Sequence, residues 1–480
     1  MKLKYFGLIS IVFIVAIASF LRVWQLNTHM IFFGDSAHDL LVARQAILDK
    51  ELPLLGIESS LPRFRQGPVA LWIIMLSQLI FGLTNTYAIA LVFALISIIA
   101  VIALYELLTV FVNQKTGLIS SALLAVSPMA VAHGRVPYHT TPIPLALIGF
   151  LWSLQRLWDG KKWAVFLAFF SWAVAFQFEL ALFPLILVPV YIFWRKKRNI
   201  TRYTIGQMTA GLVTGLLPQI VFDLTHRFAH LGGFGVWIIY RIAAFGGFRG
   251  EHTISTARLQ QTLTIFWSYF KKIVSLDQTN LSLLAAGVLF VSLIFIWQEY
   301  KRKKLPPLVE ISTVSFLALI VAYTVHGAPS EAYFPPFLVL IPILISYALA
   351  TVINKNLQTK ILISGLMIGY VALIASSIIR YNFFVGTRHP YNYGPSISEY
   401  RQVIKFIAEE SQNQFSLNTT TAGGHFPSYF DNMRWLQIEQ GYQPVSKPHH
   451  LFYIEHQPAL DSYPSIKKVS FNLLTVYQLL

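Results

Sequence analysis

Eleven apolar segments, most of them long enough to cross a lipid bilayer as a helix, dominate this 480-residue sequence. A helix needs roughly 20 mainly apolar residues to span the hydrocarbon core. The chain is 55% hydrophobic and only 12% charged, whereas soluble domains have about 25% charged residues. The sequence therefore predicts a polytopic α-helical membrane protein with about eleven spans. The segments are 5–26, 87–111, 117–132, 142–158, 163–180, 181–194, 203–222, 280–297, 310–326, 333–353 and 360–380.

A twelfth apolar segment, 67–82, decides which side of the membrane each later loop faces. If it does not cross, the dense basic clusters at 195–198 and 301–304 lie on the same side as the N-terminal lysines. The positive-inside rule places such clusters in the cytoplasm. We therefore predict that 67–82 is an amphipathic or re-entrant helix on the outer face, after a first outer loop at 27–66. The N-terminus is then cytoplasmic.

The last hundred residues differ from the rest of the chain. Residues 381–480 carry seven basic and seven acidic side chains, so the net charge of +16 lies in the apolar part. Basic residues between spans indicate topology, which makes nucleic acid an unsuitable partner. Ser396 and Glu399 fit a capping box, and 451–454 resembles a short strand. We predict a transmembrane domain at 1–380 and a small extracytoplasmic α/β domain at 381–480 of a multi-pass cell-membrane protein.

The first outer loop contains the densest set of ionisable residues. Asp35 and Asp39 are four residues apart and share one face if the segment is helical. Two close carboxylates raise the pKa of one of them, which suits a general base. The alternative is a solvated helix start with Asp35 as its N-cap. His38 and Arg44 are candidate substrate contacts on the same segment.

A second candidate site lies between two spans, at 133–139. Arg135 can donate two parallel hydrogen bonds to a phosphate, with His139 beside it. Alternatively, Arg135 reaches the lipid headgroups from an interfacial turn. The three histidines His38, His133 and His139 offer a further alternative, a divalent metal site. Because the chain has no cysteine, thiolate ligands and cysteine nucleophiles are excluded.

A third candidate site is the tight turn that joins two later spans, at 326–336. Glu331 and Tyr333 lie at the predicted outer surface and are candidate substrate contacts. Equally, both residues can serve only to close the turn, with the aromatic side chains in the interfacial belt.

The order of these motifs resembles that of membrane glycosyltransferases of the GT-C class. The closest families are the protein O-mannosyltransferases of glycosyltransferase family 39 and the bacterial aminoarabinose transferases. Their first loop has an Asp with Ala-Arg eight and nine residues later, as Asp35 and Ala43-Arg44 are placed here. The segment from Gln66-Gly67-Pro68 to Ile80-Phe81-Gly82 resembles their Pro-Pro-Leu-x-x-Trp segment ending Leu-Phe-Gly. Ser127-Pro128 before Gly134-Arg135 resembles their Ser-Pro and Ser-Arg signature.

This resemblance implies an enzyme that transfers a sugar from a polyprenyl-phosphate carrier with inversion. Asp35 would be the general base, Asp39 its assistant, and Arg135 and His139 the phosphate ligands. The acceptor is a glycan, a lipid or a protein. No cofactor is assigned, and a divalent metal stays possible. Ser36 replaces the family's second acidic residue, and His139-Thr140-Thr141 lies near the place of a later Asp.

Two other functions fit a polytopic membrane protein. A transporter or lipid flippase would have paired broken spans in two related halves, with charges near mid-membrane. Here the charges lie mainly at the ends of the spans. A non-catalytic assembly protein would use residues 381–480 to bind a partner. Vesicle uptake separates transport from sugar transfer.

Overall fold

The computed structural model describes residues 2–58, 64–248, 256–276, 278–353, 356–389, 391–415, 430–442, 452–456 and 465–479. Most of these residues are helical, and a small sheet follows near the C-terminus. This confirms the predicted fold class, a helical membrane-protein bundle with a small C-terminal α/β part.

The helices of the N-terminal half begin with α1 and end with α12. Their bounds are α1 Lys2–Val23, α2 Leu26–His29, α3 Gly34–Asp49, α4 Val69–Phe81, α5 Thr86–Phe111, α6 Gln114–Val126, α7 Pro128–His133, α8 Ile143–Trp158, α9 Ala164–Phe178, α10 Leu187–Arg195, α11 Arg202–Gly215 and α12 Leu217–Thr225, with a 3-10 helix at Leu180–Ile186 before α10.

The second half adds six long helices, two short ones and three strands. Their bounds are α13 Leu231–Phe245, α14 Thr256–Val274, α15 Thr279–Lys301, α16 Pro307–His326, α17 Phe337–Ile353, α18 Leu357–Arg380, α19 Ile397–Glu410, α20 Asp431–Glu439, β1 Phe452–His456, β2 Ser465–Phe471 and β3 Leu474–Leu479, with 3-10 helices at Glu331–Tyr333 and Asn382–Phe384.

Each of the eleven predicted apolar segments is helical. By length and composition, four helices in the described part of the chain are suited to cross a membrane: α5, α15, α16 and α18. The pair α11 and α12, bent by 77°, makes a fifth if it is one span, and seven other apolar helices are shorter. The number of eleven crossings stays a prediction.

The segment predicted to lie along the outer interface forms α4, which has 13 residues. At 1.5 Å per residue it is about 20 Å long, short of the roughly 30 Å hydrocarbon core. Helix α4 packs against α3 and α5. Helix α6, which belongs to a predicted span, also has 13 residues, so the length of α4 does not decide its position, and the interfacial placement stays a prediction.

The C-terminal part shares a core with the first loop. Apolar side chains of α3, including Leu40, are buried in one cluster with Phe93 of α5 and with Ile404 and Trp435 of α19 and α20. The Trp435 indole donates to Thr86 Oγ1 at 2.7 Å. Because these groups exclude water together, the C-terminal part is docked on the loop by a common hydrophobic core.

The C-terminal elements follow the sequence pattern closely. Ser396 caps α19, and Glu399 completes the predicted capping box. The three strands form an antiparallel sheet in the order β1-β3-β2. Strand β1 covers most of the predicted run at 451–454, and residue 451 lies outside the described residues.

The chain leaves α18 through a left-handed turn. Asn382, Phe383 and Phe384 have φ angles of 51°, 53° and 70°, a conformation that side chains other than glycine rarely adopt. Both phenylalanines are buried. Their burial stabilises a turn that is unfavourable in isolation, and this turn sets the direction in which the C-terminal part begins.

Candidate active site

Helix α3 presents two aspartates in different environments. It begins at Gly34 after Phe33, and no side chain caps it. The alternative that Asp35 is the N-cap is therefore wrong. Asp35 lies exposed in the first turn, whereas Asp39 is fully buried. Burial, and secondly the charge of Asp35, raise the pKa of Asp39 well above its usual value. Asp39 therefore favours its protonated form.

Tyr138 lies at the centre of the acidic residues. Its ring packs edge-on against Phe33 of the first loop, with ring centroids 4.9 Å apart. Burial raises the pKa of the Tyr138 phenol well above 10, and the charges of four carboxylates add to the effect. The carboxylates are Asp35, Asp39, Glu179 and Glu331. They come from segments about 300 residues apart, so the first loop and both predicted turns meet at one end of the bundle.

Glu331 is the most connected of these carboxylates. Lys272 Nζ lies 2.6 Å from Glu331 Oε2, and His133 Nε2 lies 3.3 Å from Oε1. The Tyr393 hydroxyl donates to the same Oε1. Burial alone would raise the pKa of Glu331, but the His133 hydrogen bond and the Lys272 charge lower it to about 2. Glu331 is thus an anion held between two basic groups.

The sequence did not single out Lys272 or Tyr393. Lys272 lies in the last turn of α14, an amphipathic helix that also carries other basic residues. Tyr393 belongs to the first residues of the C-terminal part. A lysine at the end of an outer-face helix was an available signal, whereas nothing in the sequence pairs either residue with Glu331.

His139 is buried beside a second carboxylate that the sequence did not single out. His139 Nε2 lies 3.6 Å from Glu179 Oε2, and both side chains are about 4% exposed. Gln66 donates to Glu179 Oε2 at 3.2 Å and accepts from the Leu180 amide at 2.9 Å. Glu179 ends an apolar run, where acidic residues are costly, and this was the signal that could have found it.

The glycine of the Gln66-Gly67-Pro68 motif is required by close packing. A Cβ atom on Gly67 would lie 2.5 Å from the Cβ atom of Gln177. The Gly67 amide donates to the Gln177 carbonyl at 2.7 Å. The motif therefore brings the first loop against the end of α9, and this places Gln66 beside Glu179.

Arg135 is used differently from the prediction. Its guanidinium donates to the carbonyls of Leu21, Trp24 and His29 at 2.9–3.2 Å. It also lies over the Phe383 ring, 4.2 Å from the centroid. The side chain is fully buried. These contacts favour a structural role, in which Arg135 satisfies carbonyls at the ends of α1 and α2 and supports the turn after α18.

The remaining predicted residues lie around this centre. Arg44 is partly buried on α3. Tyr333 is 7% exposed, with its hydroxyl 3.4 Å from His326 Nε2. His38 Nδ1 lies 2.7 Å from Asp431 Oδ2 on α20. The three predicted histidines thus have separate partners. Within the described ranges, no group of three or more His, Asp or Glu side chains is arranged to hold a metal ion.

An apolar cavity of about 420 Å³ opens between α14, α15, α16 and α17. Phe334, three residues after Glu331, lines it, and so do two residues of α14 that flank Lys272, Phe270 and Ile273. Neither Lys272 nor Glu331 lines the cavity itself, but both are close in sequence to residues that do. Its lining, fifteen residues of which fourteen are apolar, includes Leu289 and Phe316.

This arrangement, a helical bundle with acidic residues from several loops at one end, is that of a GT-C-type membrane glycosyltransferase fold. A family model described as dolichyl-phosphate-mannose-protein mannosyltransferase matches residues 65–222. Among curated proteins, no sequence matches this chain.

Solved structures with this fold cover almost the whole chain. ArnT from Cupriavidus metallidurans bound to undecaprenyl phosphate is 11% identical, with a TM-score of 0.62, and the alignment covers 98% of this chain and 97% of that one. Apo ArnT is 12% identical over the same shares, with a TM-score of 0.58. The Archaeoglobus fulgidus oligosaccharyltransferase tethered with an acceptor peptide is 12% identical over 93% of this chain and 64% of that one, with a TM-score of 0.50. The predicted resemblance to GT-C, protein O-mannosyltransferase-like and ArnT-like enzymes is confirmed.

Proposed function

We propose that this protein transfers a sugar from a polyprenyl-phosphate carrier to an acceptor on the extracytoplasmic face of the membrane. The observation that carries the proposal is the meeting of Asp35, Tyr138 and Glu331 at one end of the bundle. A transferase needs a base and a stabilising cation in one place. Here Asp35 is the proposed base, and Glu331 holds the cation Lys272 at the same end of the bundle.

The donor is proposed from the cavity and its neighbour. A polyprenyl chain is a long apolar ligand, and the cavity between α14 and α17 is apolar, with Ile273, the residue after Lys272, in its lining. Lys272 Nζ would bind the phosphate, since a lysine is a mobile point charge that can leave one anion for another. Arg135 is already used by three carbonyls. The ArnT structure that holds undecaprenyl phosphate has the same fold, which agrees with this choice of donor.

The chemistry follows from the leaving group. A polyprenyl phosphate leaves readily, so the step needs a base and charge stabilisation rather than a general acid. The Asp35 carboxylate takes the proton of the acceptor hydroxyl or amine. The acceptor atom bonds to the anomeric carbon as the bond to the phosphate oxygen breaks, and the phosphate keeps the electron pair. Attack from the opposite side inverts the anomeric carbon.

Asp39 and His139 have supporting roles in this proposal. A protonated Asp39 can donate a hydrogen bond to the Asp35 carboxylate or to the acceptor substrate. No hydrogen bond to His139 from any described residue is present, although both ring nitrogens are buried. Such a group is costly unless a ligand completes it, so His139 stays a proposed substrate contact, as do Arg44 and Tyr333.

The test is deletion of the gene, followed by mass spectrometry of polyprenyl-linked sugars and envelope glycans. We expect one polyprenyl-phosphate sugar to accumulate and one glycan modification to disappear. The wild-type gene and Asp49→Asn should restore both, because Asp49 lies exposed at the far end of α3. Asp35→Asn should not, since a removed base costs about 10²–10⁴-fold in rate.

Two outcomes would contradict the proposal. If the Asp35→Asn protein restores the modification fully, Asp35 is not the base. Unchanged polyprenyl-linked sugars in the deletion strain, together with substrate uptake by vesicles that contain the protein, would favour the transporter alternative.

A further inference from the structure

One contact between the first loop and the C-terminal part has the geometry of an acid–base pair. His38 Nδ1 lies 2.7 Å from Asp431 Oδ2. A carboxylate only accepts hydrogen bonds, so Nδ1 is the nitrogen that carries the proton. The other ring nitrogen, Nε2, is then an acceptor. No hydrogen bond to Nε2 from a described residue is present, and the His38 side chain is 37% exposed.

Asp431 is built into this position. Its side chain is 5% exposed, and Arg434 donates to its other oxygen at 3.2 Å. The next residue, Asn432, contacts the Phe32 carbonyl, and Trp435 donates to Thr86. Helix α20 is thus held next to the His38 contact by Phe32 of the first loop and by Thr86 at the start of α5. A surface ion pair would lack this support.

His38 also lies beside the proposed base. It follows Asp35 by three residues on α3, and residues three apart on a helix are neighbours with about 5–6 Å between their Cβ atoms. His38 therefore has one nitrogen fixed by the C-terminal part and lies about one helical turn from Asp35.

We propose that His38 is a further catalytic acid–base residue and that Asp431 is its positioning residue. This inference rests on the proposed transferase function. Asp35 takes the proton from the acceptor as the new glycosidic bond forms, and His38 Nε2 then receives that proton from the Asp35 carboxyl. The Asp431 carboxylate stabilises the resulting imidazolium. His38 returns the proton to solvent, and Asp35 is again ionised for the next acceptor.

The pair also gives the C-terminal part a role in the reaction. Residues 430–442 contribute the carboxylate that fixes the His38 tautomer, and only a docked C-terminal part places it there. Sugar transfer is therefore expected to depend on this docking through one contact, in addition to the shared hydrophobic core.

The decisive variant is His38→Asn. The asparagine amide nitrogen takes the place of Nδ1 and can still donate to Asp431, while the acceptor at Nε2 is lost. Membranes containing the full-length protein are mixed with the lipid extract and envelope acceptor of the deletion strain. We expect an unchanged thermal midpoint, an unchanged KM for the lipid extract, and a fall in kcat of about 10²-fold, the lower end for acid–base residues.

Asp431→Asn tests the positioning residue independently. An asparagine can rotate to donate to Nδ1, which moves the ring proton to Nε2 and removes the acceptor. We expect kcat to fall about 10–100-fold, the usual effect of losing an orienting partner. The double variant should be no slower than the slower single variant, because the two residues act as a unit.

Arg401→Gln is the matched control. Arg401 also joins the C-terminal part to the first loop, through the Asn27 carbonyl at 2.8 Å, and within the C-terminal part it pairs with Glu439 at the end of α20. Its side-chain hydrogen bonds to described residues go to Asn27 and Glu439, neither of which is on α3. Its loss should lower the thermal midpoint slightly and leave kcat per folded molecule unchanged.

Each result has a defined meaning. A folded His38→Asn or Asp431→Asn protein with wild-type kcat overturns the inference, and so does a loss of kcat in Arg401→Gln as large as in these variants. If Asp35→Asn is inactive while His38→Asn is fully active, the transferase proposal stands and only the pair fails. If Asp35→Asn is fully active, the proposed function itself fails.

Discussion

Two histidine–carboxylate pairs at the same end of the molecule differ in what surrounds them. His133 has a partner on each ring nitrogen: Glu331 at 3.3 Å from Nε2 and Thr140 at 3.0 Å from Nδ1. His38 has one partner, Asp431, and its side chain is 37% exposed, compared with 10% for His133.

The difference indicates two uses of the same residue type. A histidine with both nitrogens hydrogen-bonded and little exposure is fixed in position, and it holds Glu331 between the two turns. A histidine with one hydrogen-bonded nitrogen and a partly exposed ring can still contact a reacting group. The first pair is expected to hold the site together, and the second to take part in the reaction.

Around the first pair, the largest effect is expected at Lys272, the cation that contacts Glu331. Lys272→Ala removes the proposed phosphate ligand, and loss of one group that stabilises developing charge costs about 10²–10³-fold in kcat. Lys272→Arg should keep more of the rate. Binding of labelled undecaprenyl phosphate to the two variants in nanodiscs measures the same loss without the reaction. If Lys272→Ala and wild type bind undecaprenyl phosphate equally well, Lys272 is not a phosphate ligand.

Arg135 should affect stability and not the reaction. Arg135→Met leaves three carbonyls without their donor, of which the Leu21 carbonyl is buried, and an unsatisfied buried group costs about 1–3 kcal/mol. We expect a much lower thermal midpoint, with donor turnover per folded molecule close to wild type. A variant that folds normally and loses donor binding would restore the predicted phosphate role of Arg135.

The pH dependence of stability sharpens the description of the first pair. Because the folded protein lowers the pKa of Glu331 from about 4.5 to about 2, Glu331 contributes its full stability above about pH 4.5. That contribution is lost as the pH falls through about 2. Thermal melts between pH 6 and pH 2 should show a steeper loss for wild type than for Glu331→Gln. If the thermal midpoints of wild type and Glu331→Gln fall in parallel with pH, Glu331 is not held as a stabilising anion.

The smallest effect is expected at Thr140, which completes the first pair. Thr140→Val leaves His133 Nδ1 without a partner and should cost about 1 kcal/mol or more of stability. Transfer rate per folded molecule should stay within about twofold. A large loss of rate would show that His133, like His38, exchanges protons.

The helices and the acidic loop were predictable because each depends on local sequence. Apolar runs give helices, and Ser396 with Glu399 gives a capping box that the structure contains. Asp35, Asp39 and Glu331 were predicted from their positions near the ends of apolar segments. These signals need no knowledge of what lies across the fold.

Lys272, Tyr393, Glu179 and Asp431 were not predicted because their roles depend on distant partners. Asp431 contacts a residue 393 positions earlier in the chain, and Lys272 contacts one 59 positions later. The contacts of Arg135 were not predictable for the same reason, since the carbonyls that it satisfies are more than 100 residues away. A single sequence shows the residue types but not the contacts between residues that are distant in the chain.

The central claim is that the first loop, the turn at 327–336 and the C-terminal part form one site on the extracytoplasmic face. Since the chain has no cysteine, single cysteines at exposed positions can be labelled with a membrane-impermeant maleimide in intact cells. We expect labelling of Gln45→Cys, Ala328→Cys and Arg388→Cys, and no labelling of Lys303→Cys until the cells are opened. If any of the first three is labelled only in opened cells, the groups lie on opposite faces and cannot form one site.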